Sequence, residues 1–170
     1  MDDDSAESFL HRFFFPKLNG RYFLRLCLVA AVAYLFFGYV CIPCVIEGGS
    51  MRPTYGSFGV TFCWCPALWF RKAQVGDIVA AKYFGRKVLL LKRVVALEGD
   101  VVEFRRGELY VNGKPREGLW PTLGPCDWEL PPRVVEPGNV YLVGDNRSMP
   151  MESHVFGQLS AKRLMGKPIW

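Results

Sequence analysis

The sequence predicts a mainly β protein, with one N-terminal transmembrane helix followed by a β-rich domain. Three observations carry that expectation. An uncharged apolar run, "LCLVAAVAYLFFGYVCIPCVI", extends from Leu26 to Ile46. Beyond it, short segments rich in β-branched and aromatic residues alternate with Gly, Pro, Asn and Asp. Among them "YVNGKP" contains an Asn-Gly pair, a strong hairpin signal.

The apolar run comes first. A hydrocarbon core about 30 Å thick needs roughly 20 apolar residues as a helix, and residues 26–46 meet that length. Pro43 near the outer end is tolerable as a kink or helix exit. A cleavable signal peptide is the competing reading. "AVA" at 31–33 resembles a cleavage site, but only about five apolar residues separate it from Arg25, fewer than the roughly 7–15 of an h-region. The expected organisation is therefore a short N-terminus (1–25), an uncleaved anchor (26–46) and an outer domain (47–170). Arg12, Lys17, Arg21 and Arg25 precede the span, and Arg52 is the first basic residue after it. The positive-inside rule then puts the N-terminus on the cytoplasmic (or matrix) side and the rest outside.

In the outer domain the expected strands are 77–83, 88–97, 100–104, 108–113, 133–135 and 140–145. Residues 116–132 are Pro-rich and aperiodic, and read as an ordered loop or insertion. "GVTFCWCPALWFRKAQ" (59–74) is dense in aromatics: Trp64, Trp69 and Phe70 either form an interfacial belt at the headgroups or fill the β core. The net charge of +5 comes partly from juxtamembrane basic residues. Attraction to anionic lipid accounts for it without nucleic acid.

Six cysteines occur, at 27, 41, 44, 63, 65 and 126. Three belong to the apolar run and read as small buried hydrophobes. The Cys63/Cys65 spacing is poor for zinc. A disulfide from Cys126 to one of that pair and plain unpaired thiols both remain open. No metal or other cofactor is expected, since the outer domain has one His and no ligand cluster.

Chemistry enters at "VIEGGSMRPTYG" (45–56), where Ser50 follows two glycines directly after the apolar run. A serine hydroxyl needs a base to take its proton. His11 lies on the wrong side of the expected membrane, leaving His154 as the one histidine that could serve. The other candidate is a lysine kept neutral by desolvation, which lowers a lysine pKa by up to about 3–5 units. In "VLLLKRVVAL" period-2 alternation puts Lys92 on one face with Leu90 and Val94, and Arg93 on the other.

Three segments, "SMRPT" (50–54), "LKRVVALEGD" (91–100) and "GDNRSMPMESHVFG" (144–157), in that order behind an apolar anchor, resemble the type I signal peptidases. The resemblance covers about 47–166. It implies a membrane-bound serine endopeptidase built on a coiled, mostly antiparallel sheet, with Ser50 as nucleophile and Lys92 as general base. It also implies preprotein signal peptides with small residues one and three before the cut as partners, held at the bilayer. Ile46 to Gly49 and Leu89 to Leu91 are the expected rails for an extended peptide, and Met51 lies near the catalytic pocket or in the core. The backbone N–H of Ser50 is the main oxyanion donor, aided by the Gly48-Gly49 turn, because Gly48 stands where many relatives carry a hydroxyl. Pro150 replaces the hydroxyl that commonly orients the lysine, so Ser148 or Ser153 would have to substitute. Glu152 and His154 stand for the usual Asp–Arg pair, and Asp145 is expected to pair with Arg93. The rival readings are a dedicated processing peptidase, organellar or pilin-type, and a non-catalytic membrane-tethered β module that binds peptides.

Overall fold

The computed structural model describes residues 19–83, 89–116, 118–122, 124 and 126–169. His11, Arg12 and Lys17, Val88 at the start of an expected strand, and Glu117, Leu123 and Pro125 of the expected loop lie outside the described residues. The chain divides into two compact units, residues 1–39 and 40–170.

The first unit contains helix α1 (Gly20–Leu35), which begins at Asn19, whose side chain accepts from the Tyr22 N–H at 2.9 Å. That cap satisfies a donor the helix itself leaves unpaired. A π turn (Phe36–Val40) continues it. Gly20–Val40 is 21 residues with a mean hydropathy of 2.0, long and apolar enough to cross a membrane, and none of α1 is buried. At about 1.5 Å per residue it spans the hydrocarbon thickness, which fits a single-pass membrane protein.

The apolar run is not one helix throughout. Helix gives way to strand at Cys41, and β1 (Cys41–Glu47) belongs to the second unit. Pro43 drives the change by pushing the preceding residue towards extended backbone, and Val45 and Ile46 are β-branched. Pro43 is tolerated because β1 is the edge strand of its sheet. Cys41 and Cys44 accordingly sit buried in this strand, and only Cys27 lies in the helix, exposed. None of the six cysteines forms a disulfide.

The remaining elements are β2 (Phe58–Trp64), a single turn α2 (Pro66–Trp69), β3 (Ile78–Lys82), β4 (Leu89–Leu97), β5 (Val101–Arg105), β6 (Glu108–Val111), β7 (Lys114–Pro115), β8 (Leu130–Val134), β9 (Asn139–Val143), β10 (Gly157–Ser160) and β11 (Leu164–Pro168). They form a seven-stranded sheet, β1-β2-β11-β3-β4-β9-β10, and a four-stranded sheet, β7-β6-β5-β8. Every described pairing is antiparallel. The β6–β7 hairpin turns at Asn112 (φ +54) and Gly113 (φ +72). Two positive φ values are what a type I′ turn requires. Phe104, Trp128, Val95, Val102 and Tyr141 lie in the largest apolar cluster, which draws residues from both sheets.

The aromatic stretch 59–74 holds a strand and a helical turn. Trp69 is 57% exposed and Phe70 90%, so these two rings do not fill the core.

Candidate active site

β1 runs into a tight turn that carries Ser50. Gly48 has φ +89, a region where glycine alone is unstrained. The space for a Cβ there is open, so backbone conformation rather than crowding bars a side chain. Within the turn the Arg52 N–H donates to Gly49 O at 3.1 Å, and the Tyr55 N–H to Met51 O at 2.9 Å. Met51 is buried with Cys44, Cys63, Ala80 and Leu91, anchoring the half-exposed Ser50 from below.

The turn is gripped by the segment after β9. The Asn146 N–H donates to Ser50 O at 2.9 Å, and its side-chain amide to Gly49 O at 2.9 Å. Gly144 packs so closely that an added Cβ would lie 2.3 Å from Ser50 O and 2.5 Å from His154 Nε2. The sequence reading assigned roles to neither Gly144 nor Asn146. Gly144 has no positive φ to mark it, and only its surroundings demand a bare backbone.

Lys92 lies in β4 opposite Val79 of β3 and is 1% exposed. Burial lowers its pKa to about 8, against an opposing pull from Asp145. Its Nζ lies 3.5 Å from His154 Nε2, which also accepts the Gly144 N–H at 3.1 Å. Nε2 is thus an acceptor, so the imidazole proton belongs on Nδ1, which is buried without a partner. Burial, then Lys92 and Arg147, lower the His154 pKa to about 3. The ring is neutral at ordinary pH. Among the described residues no hydrogen bond joins the Ser50 hydroxyl to Lys92; Gly144 and His154 link their surroundings.

The placement of His154 corrects the expectation for the last motif. No ion pair joins it to Glu152 among the described residues, and Glu152 is exposed. The imidazole turns inward against Trp128 (ring centroids 4.8 Å), whose indole N–H donates to Met149 O at 2.8 Å. An imidazolium in that setting would be costly. Ser148 and Ser153 are both exposed, and the Ser148 hydroxyl donates to Asn146 Oδ1 at 2.6 Å. Neither serine substitutes for the hydroxyl missing at Pro150: His154 is the group that meets Lys92. Trp128, from the Pro-rich stretch read as a loop, is thus part of the support.

On the other face of β4, Arg93 makes a two-pronged contact with Asp145, Nε to Oδ1 at 2.8 Å and Nη2 to Oδ2 at 2.6 Å. Arg93 also donates to Gly76 O at 2.8 Å, and the Thr54 hydroxyl donates to Asp145. Asp145 therefore ties together the serine turn, the lysine strand and the segment after β9. A buried pair like this is strongly destabilising to break, because one charge would be left alone.

A cleft opens beside Ser50, lined by Cys44, Val45, Ile46, Gly48, Met51 and Leu89 to Leu91. β1 pairs only with β2, and β4 pairs with β9 only from Arg93 onward. Each wall of the cleft therefore presents unpaired backbone among the described residues. Such edges accept an extended peptide as an added strand.

The family described as "Signal peptidase, peptidase S26" matches residues 20–170. Thylakoidal processing peptidase 1 of Arabidopsis thaliana is 32% identical over 150 residues, covering 82% of this chain and 44% of that protein. The chain thus spans less than half the length of that relative. A probable signal peptidase I-1 of Synechocystis is 31% identical over 155 residues, 86% of this chain and 78% of that protein. A crystal structure of an Enterococcus faecalis signal peptidase I aligns with 57% of this chain and 97% of its own at 25% identity and TM-score 0.40, too partial a likeness to bear on the site. By the match over residues 20–170, this chain belongs to the signal peptidase family, peptidase S26.

Proposed function

We propose that the chain is a membrane-anchored serine endopeptidase that removes signal peptides from exported preproteins, with Ser50 as nucleophile and Lys92 as general base. The observation that carries this reading is a buried lysine with its pKa lowered to about 8, its Nζ 3.5 Å from the His154 ring that meets Gly144 beside the serine turn. Neutral Lys92 takes the Ser50 proton as Oγ attacks the scissile carbonyl. The Ser50 N–H stabilises the oxyanion, an interaction typically worth about 3–4 kcal/mol in the transition state. The same lysine returns the proton to the leaving amine, and water then releases the acyl group. The peptide lies as a strand between Ile46–Gly49 and Leu89–Leu91, with small side chains one and three before the cut.

Purified chain mixed with a preprotein carrying an Ala-x-Ala site should release a product whose new N-terminus follows the second alanine. Only the neutral lysine acts, so the rate should rise with pH through a limb near 8. No cleavage at any pH would leave a peptide-binding module as the better reading. The similarity to a thylakoidal processing peptidase is the specific support for a dedicated organellar enzyme instead. Such an enzyme would cleave thylakoid-targeted precursors and spare bacterial ones.

His154 holds the Lys92 amine by accepting from it. His154→Ala should lower kcat about 10- to 100-fold, the scale of a misplacement near 1 Å, and move the alkaline limb upward as water reaches Lys92. Ser148→Ala and Ser153→Ala should do neither. Equal effects from all three would remove His154 from this role.

The N-terminus faces the cytoplasm and the β domain the opposite side. Protease added to the cytoplasmic face of sealed vesicles should trim only residues before about Arg25. Loss of the β domain would reverse the orientation.

A further inference from the structure

We propose that Cys44 and Cys63 form a redox-active thiol pair beside Ser50, which takes a small disulfide such as oxidised glutathione as its reagent and closes to an intramolecular disulfide. The two Sγ atoms are 2.9 Å apart. A disulfide bond measures 2.03–2.05 Å, so closure needs a movement of only about 0.9 Å. The β1–β2 register explains the approach. Ile42 opposes Cys63 and Cys44 opposes Thr61, so the thiols are diagonal neighbours on one face of an antiparallel pair, with their side chains turned towards each other.

The two sulfurs differ in access. Cys44 is buried but keeps 5% exposure and lines the cleft beside Ser50 and Met51. Cys63 is fully buried behind it, packed in the same cluster as Met51, Ala80 and Leu91. One thiol can meet a reagent from the cleft, and the other waits behind it to resolve the product. Their contact also holds the Cys44 thiol below its ordinary pKa and pushes that of Cys63 up, which favours Cys44 as the attacking thiolate.

The chemistry balances without a further reactant. The Cys44 thiolate attacks one sulfur of the disulfide RS–SR, forming Cys44–S–SR and expelling RS⁻, which takes up the proton lost by Cys44. Cys63 then attacks the Cys44 sulfur, the S–SR bond breaks, and the second RS⁻ takes the Cys63 proton. Two electrons pass from the thiol pair to the reagent, leaving one protein disulfide and two RSH. The reaction needs neither Ser50 nor Lys92, so a chain inactive as a peptidase would still oxidise.

The test uses the full chain in detergent with Cys27→Ser, which removes the exposed thiol of the helix. After incubation with oxidised glutathione, digestion without reductant and mass analysis should find a peptide joined through Cys44 and Cys63. The melting temperature should rise by about 5–10 °C, given the loop enclosed and the chain length, and fall back on reduction. Cys63→Ala should stop at glutathione on Cys44. If that variant fails to fold, the linkage map of the Cys27→Ser chain still decides. The proposal is overturned if a urea-unfolded control reacts while the folded chain leaves Cys44 and Cys63 as thiols. Links confined to Cys41–Cys65 or glutathione confined to Cys126 would overturn it equally.

Discussion

Lys92→Met and Ser50→Ala are each expected to lower preprotein cleavage by about 10⁴-fold or more, the scale seen when a serine enzyme loses its nucleophile or base. Their effects on stability should differ, and that difference ties the loss to chemistry. Wild-type Lys92 has a folded pKa of about 8 against roughly 10.4 in an unfolded chain. Below pH 8 both states hold the proton, and the folded state bears the whole burial penalty. Between about 8 and 10.4 the unfolded state binds more protons, so wild-type stability rises with pH across that window. Methionine has a similar length and no charge to bury. Lys92→Met should therefore be more stable than wild type at pH 7, by at most about 3 kcal/mol, with the gap closing towards pH 10. Ser50→Ala, at a half-exposed position, should melt within about a degree or two of wild type, as surface changes usually do. Denaturant titrations at pH 7 and pH 10 beside activity assays make the comparison. A Lys92→Met chain that is less stable at pH 7 would mean the lysine is not charged and buried in the resting protein.

Gly144→Ala is the second change expected to have a large effect. Its Cβ would stand 2.3 Å from Ser50 O and 2.5 Å from His154 Nε2, far inside ordinary van der Waals contact. Both contacts have to be relieved at once. The serine turn, the imidazole or both must therefore move by several tenths of an ångström or more. Misplacement near 1 Å costs about 100-fold in rate, and overpacking a tight site costs roughly 1–3 kcal/mol of stability. Steady-state kinetics should show the loss chiefly in kcat, because the peptide rails at 46–49 and 89–91 are not displaced directly. Activity within a few-fold of wild type would mean that Gly144 is not the spacer between the two groups.

Local pattern made part of this protein readable without coordinates. Period-2 alternation through Leu90, Lys92 and Val94 placed the lysine on an apolar strand face and Arg93 on the opposite one. Asn112-Gly113 marked a turn through the backbone it needs. The pairing expected between Arg93 and Asp145 is present, legible through the resemblance of the flanking segments to a known family. The boundary at Cys41 was not legible. A continuous apolar run has no period to distinguish helix from strand, and its one local mark, Pro43, fits a helix exit equally well.

Tertiary structure alone decided which way His154 turns and what Gly144 must avoid. His154 faces inward because Trp128, 26 residues earlier in the chain, offers its ring a surface. Burial there removes the positive charge that would have bound Glu152. Gly144 carries no positive φ, and its requirement comes from two atoms that approach from Ser50 and His154. Cys44 and Cys63 likewise meet through the β1–β2 register. Local composition was enough to show which residues prefer strands, turns and a membrane. Which distant groups share a site depended on the paired sheet, because such contacts are set by register and packing, and neither leaves a local pattern in the chain.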